Sequence, residues 1–138
     1  MIMKRALEKK LRIAIQSLFA NQPNIFEFTS ETGQTEWNLA HHLANEIHDL
    51  LPDYDCDLDV IKENFGNRRP DIIFHARGNH KNNFLVVELK RGGSRAELDH
   101  DLHKIQAYWF GGNLNYKFGA VINIRSDKTY EVVVLENH

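Results

Sequence analysis

Two short apolar runs, 69–74 (RPDIIF) and 84–90 (FLVVELK), constrain this chain more than any other feature. Their Ile, Phe, Val and Leu content reads as two buried strands. Each also carries charge where an apolar residue is expected: Asp71 in the first run, Glu88 and Lys90 in the second. An ionised group is expensive to bury without a partner. Three of them on adjacent strands point to a site built for chemistry, with the carboxylates facing a cation.

The intervening residues 78–83 (GNHKNN) are rich in turn formers, so the two runs are expected to form a hairpin. Folding about the centre of that loop brings Asp71 within a residue or two of Glu88. Directly opposed residues on antiparallel strands have Cβ atoms about 5 Å apart, close enough to share one divalent cation. Glu88 and Lys90 are two apart and share a face. By the same alternation Ile72, Phe74, Leu85, Val87 and Leu89 point one way. Ile73, Phe84 and Val86 share the other face with Asp71, Glu88 and Lys90. Apolar residues on both faces predict a central pair covered on both sides.

The remaining chain supplies that cover. Residues 3–20 read as a helix with Leu7, Leu11, Ile15 and Leu18 along one face, broken by Asn21-Gln22-Pro23-Asn24. A second helix is expected over 34–51, ending before Pro52. Its apolar stripe of Ala40, Leu43, Ile47 and Leu50 extends back to Glu36 in the first turn. Residues 55–63 read as a first strand with Cys56, Leu58, Val60 and Lys62 on one face. Asp53, Asp55, Asp57 and Asp59 give it a polar face and lack the glycine and terminal glutamate of a calcium loop. Gly92-Gly93 ends the Lys90 strand. Ser94-Arg95-Ala96-Glu97 has the form of a capping box opening a helix to Phe110, stopped by Gly111-Gly112. On that helix Leu98, Leu102, Ile105 and Trp109 form the core face, flanked by Glu97, Asp101, Lys104 and Tyr108. Residues 118–125 and 130–136 read as two further strands.

At 138 residues the chain suits one domain, 1–138, with one real core. Cys56 is the single cysteine, which excludes an internal disulfide and argues against a zinc cluster. With Arg12 and Gln16 interrupting its apolar residues, the basic N-terminal helix lacks the pattern of a secretory signal. No run is long enough to span a membrane, and a cytoplasmic location is expected. The formal charge is −2, so a nucleic-acid partner has to be met by local patches and bound metal rather than by net charge.

Pro70-Asp71 followed by Glu88-Leu89-Lys90 on the next strand resembles the signature of the PD-(D/E)XK nuclease superfamily, which includes restriction endonucleases and Holliday junction resolvases. The resemblance runs from about Glu36 to the last strand. It implies an α/β restriction-endonuclease-like fold, with an αβββαβ core whose mixed central sheet is flanked by helices. The N-terminal helix and the last strand would be additions to it. It implies that Asp71, Glu88 and the Leu89 backbone carbonyl hold Mg²⁺ or Mn²⁺, hard cations suited to oxygen ligands. Glu36 would recruit a second ion or bind through water, and Lys90 would orient the attacking water. The third helix would bring Lys104, Tyr108 and Gln106 to the scissile phosphate, Gln106 ranking last because it lies off the stripe. Arg69, Arg91 and Arg95, with Arg68 and Lys81, flank the expected site and suit backbone phosphates.

The expected activity is phosphodiester hydrolysis, with DNA as the preferred substrate. The competing expectation is a binding module that keeps the fold without catalysis, as a subunit of a larger defence or repair complex. A homodimer acting on branched DNA, and a separate protein supplying targeting, are further expected partners. The basic face of the first helix (Lys4, Arg5, Lys9, Lys10, Arg12) reads as solvated, and His41 and His42 lack a third ligand for zinc. Trp37 and Trp109 sit at helical core spacing, which predicts packing for both.

Overall fold

In the computed structural model, residues 3–27, 33–58, 71–78, 83–112 and 114–138 are described, with residues 33–36 described by their backbone alone. The elements run α1 (Lys4–Asn21), α2 (Gly33–Leu50), β1 (Asp55–Leu58), β2 (Ile72–His75), β3 (Leu85–Arg91), α3 (Arg95–Lys104), β4 (Phe118–Ile124) and β5 (Tyr130–Glu136). The last turn of the third helix, Ile105–Trp109, is a π turn. The five strands form one mixed sheet in the order β1-β2-β3-β4-β5. All neighbours are antiparallel except β3 and β4, which run parallel. A parallel pair needs a long crossover connection, and α3 with its π turn provides it.

The sheet separates two apolar cores. On one face Leu7, Leu11, Ile15 and Leu18 of α1 and Leu39, Leu43 and Ile47 of α2 meet Ile72, Phe74, Leu85, Val87 and Leu89. On the other, Leu98, Ile105 and Trp109 meet Ile73, Val86 and Val121. β3 and β4 are therefore covered on both sides, and Phe118–Ile124 is buried throughout. The 3.6-residue spacing in α1 and α2 and the two-residue alternation in β2 and β3 fix these faces. Two expectations change. Phe84 belongs to the α1/α2 core, stacked on Tyr54 at 4.3 Å, because it precedes the regular strand and escapes its alternation. Trp37 is 63 % exposed rather than packed: the buried stripe of α2 runs through Leu39, Ala40 and Leu43, leaving Trp37 on the outer side.

β1 is short, and residues 59–63 of the expected strand lie outside the described residues. It is held by charge as well as by pairing. Arg77 donates to both carboxylate oxygens of Asp57, at 3.0 and 2.8 Å, and His75 Nε2 lies 2.6 Å from Asp57 Oδ2. The Arg77 guanidinium holds the Asp57 carboxyl down at about 2.

Candidate active site

The hairpin register pairs Ile72 with Val87 and Ile73 with Val86. One further step along the same ladder sets Asp71, the residue before β2, across from Glu88. The Leu89 N–H donates to Asp71 Oδ2 at 2.6 Å, which fixes the aspartate against β3. An extended residue's carbonyl projects to the same side as its own N–H, so the Leu89 carbonyl also faces the Asp71 side. Glu88 is 2 % exposed. The Trp109 indole N–H donates to its Oε1 at 3.1 Å, and Lys104 Nζ lies 3.5 Å from its Oε2. Lys90 Nζ lies 3.6 Å from Asp101 Oδ2, and Lys104 Nζ lies 3.8 Å from Asp101 Oδ1. Three acids, two ammonium groups and an indole thus meet where β2, β3 and the third helix converge.

Local features aim these groups. Gly92, at φ +67°, turns the chain out of β3 and donates its N–H to the Ile124 carbonyl at 2.9 Å. Gly93 follows where an added Cβ would sit 2.9 Å from the Lys90 Cβ. The buried Asn123 side chain then accepts from the Gly93 N–H at 2.9 Å and donates to the Gly93 carbonyl at 3.2 Å. Asn123 pairs with Lys90 across β3 and β4, so one amide fixes the exit turn beside the lysine. Ser94 and Glu97 form the capping box, worth about 1 kcal/mol to the start of α3. At the other end the Phe110 N–H bonds the Ile105 carbonyl five residues back, at 3.0 Å. This wider turn displaces the residues after it from the α-helical phase, and Trp109 ends it against Glu88.

Burial dominates the electrostatics. It pushes the Glu88 carboxyl up to about 8, with the Asp71 charge adding to the rise and Lys104 opposing it. Burial also raises Asp71, against the Leu89 N–H and the two lysines. Carboxyls displaced in this way favour a proton or a cation.

The expected residues divide as follows. Asp71, Glu88 and Lys90 come together, with Lys104 beside them. Tyr108 is half-buried and packs against the α3-side core. Gln106 is exposed. Arg95 is exposed and pairs with Asp99 at 3.3 Å within the helix. Arg91 departs from its expected place: strand alternation turns it to the α1/α2 face, where it is buried with its guanidinium 4.8 Å from the Phe26 ring centre. Arg68, Arg69 and Lys81 lie outside the described residues, as does the Glu36 side chain, although Glu36 itself belongs to α2.

Sequence reasoning missed the parts played by Asp101, Trp109 and Asn123. Asp101 and Lys104 lie three apart on the stripe flanking the core face, and that spacing was the available signal. Among the described residues no group of three or more His, Cys, Asp or Glu side chains is disposed to hold a metal, and no helix is long and apolar enough to cross a membrane. The chain matches no family model, no curated protein and no solved structure.

Proposed function

We propose that this chain is a metal-dependent nuclease of the PD-(D/E)XK type, hydrolysing phosphodiester bonds in DNA. The observation that carries the reading is the opposition of Asp71 and Glu88 across the β2–β3 hairpin, with Lys90 next on the same face. The helix–three strands–helix–strand order, with β3 and β4 parallel, supports a restriction-endonuclease-like core. α1 and β5 are then additions to it.

The donor set fits a hard cation. Two raised carboxyls of hard oxygen, close in space, and a carbonyl on the same side suit Mg²⁺ or Mn²⁺, and Mg²⁺ keeps several waters of its own. Asp71, Glu88 and the Leu89 carbonyl would hold the ion, with Glu36 the candidate for a second. Bound there, it supplies an acidified water and neutralises phosphate charge. The chain's own contribution is positioning. Asp101 holds the Lys90 ammonium beside the acids, where it orients the attacking water and stabilises developing negative charge. Lys104 adds a second positive charge for the substrate phosphate. The buried indole of Trp109 fixes Glu88 Oε1, and Oε2, which Lys104 faces at 3.5 Å, is the oxygen that a cation would take.

One observation favours a second reading, a nuclease-fold binding module without catalysis: both Glu88 oxygens already have partners. A cleavage assay separates the two. Plasmid, linear duplex, single-stranded and branched DNA and RNA are incubated with Mg²⁺ and with Mn²⁺, with Asp71→Ala and Lys90→Ala as controls. Cleavage lost in both variants supports the nuclease. A folded protein that neither cleaves any substrate nor binds Mn²⁺ in calorimetry overturns it in favour of the binding module.

A further inference from the structure

We infer that Lys104 is a built-in counter-cation, which bridges Glu88 and Asp101 in the metal-free protein and withdraws to Asp101 alone when a divalent cation binds. This rests on the metal-centre reading above. Glu88 is buried, and once ionised, the form that takes a cation, its charge needs compensation. Its Oε1 is taken by the Trp109 indole at 3.1 Å, and its Oε2 by Lys104 Nζ at 3.5 Å. An ammonium group and a divalent cation cannot both sit against one carboxylate oxygen without strong repulsion. The indole is locked in a fully buried ring, whereas the lysine side chain is 25 % exposed on a flexible stem. Lys104 is therefore the partner that yields.

A destination is already built. Asp101 Oδ1 lies 3.8 Å from the same Nζ, and Lys90 holds the other oxygen of that carboxylate at 3.6 Å. Asp101 is 1 % exposed, so its charge is as much in need of a partner as that of Glu88. Lys104 already bridges the two acids, so a small withdrawal from Glu88 leaves it on Asp101 with its charge still beside the site. The consequence is a threshold: metal has to compete with a tethered cation for Glu88 Oε2.

The test is Mn²⁺ binding by calorimetry to the wild type, Lys104→Met, Lys104→Arg and Asp101→Asn, with metal-free melting alongside. Lys104→Met is expected to bind Mn²⁺ about tenfold more tightly, the factor that 1.4 kcal/mol commands, and to melt lower when metal-free. Lys104→Arg keeps the charge and stays near wild type in both. Asp101→Asn removes the second berth and binds metal more weakly. Unchanged or weaker binding by Lys104→Met, with wild type binding normally, overturns the counter-cation while leaving the metal centre standing. Binding by neither protein overturns the metal centre itself, and the counter-cation with it. Binding by Lys104→Met alone is the strongest form of support.

Discussion

Replacing Glu88 by Gln tests the electrostatics of the site directly. In the folded protein this carboxyl is raised to about 8, against an ordinary value of 4.5. Between those two pH values the folded chain keeps a proton that the unfolded chain has released. Stability contributed by this group is therefore full below about pH 4.5 and is lost as pH rises, with the loss complete above about pH 8. At about 1.4 kcal/mol per pH unit, the loss across the window is on the order of 5 kcal/mol, a large part of the ~5–15 kcal/mol typical of a domain. Asp71 is displaced in the same direction and steepens the slope. Glutamine is isosteric, can still accept from the Trp109 indole, and does not titrate. Urea denaturation in the presence of a chelator, at half-unit steps from pH 5 to pH 8, is the assay. Subtracting the two proteins' curves cancels the histidines. Wild type is expected to lose a few kcal/mol relative to Glu88→Gln, which becomes the more stable protein at pH 8. Parallel curves, or a wild type that gains on the variant as pH rises, would refute the reasoning.

Other perturbations probe the supports of the site. Trp109→Phe removes the indole donor from a buried carboxylate and should destabilise by about 2–3 kcal/mol in urea titration, with a matching loss in Mn²⁺ affinity. Gly119→Ala would bring a Cβ to 2.3 Å from Ile105 Cγ2. It should cost about 1–3 kcal/mol, and Ile105→Ala in the same chain should recover part of that by chemical denaturation. Ser94→Ala breaks the capping box and should lower stability by about 1 kcal/mol, visible as a drop of several degrees in the melting temperature.

The legibility of the site follows its range along the chain. Asp71 and Glu88 are joined by one short loop, so hairpin register and strand alternation were enough to oppose them. Lys90 came with Glu88 by the same alternation. The helices and all five strands were legible because their apolar periods are regular. Asp101 falls on the stripe beside the core face, but its burial is not legible there, since a helical period gives direction and not burial depth. Trp109 keeps the core face that its helical spacing gives it, but a period does not name a hydrogen-bond acceptor, and Glu88 lies 21 residues away. Asn123 sits in an otherwise apolar strand, and its partner, Gly93, is 30 residues away, beyond any local pattern. Arg91 is adjacent to Lys90 in sequence, yet strand alternation puts its side chain on the opposite face, beside Phe26.

The charged clasp on β1 has a consequence of another kind. A strand at the margin of a sheet offers unpaired backbone groups to any second chain, and acidic or basic side chains there discourage such pairing. Asp55 accepts from the Arg77 backbone N–H at 3.0 Å and Asp57 from its guanidinium. The residues that could invite a neighbour are thus turned inward on their own chain. Because Asp57 stays ionised down to about pH 2, this guard against edge-to-edge aggregation persists through acidic conditions under which the carboxyls of the candidate site have long been protonated.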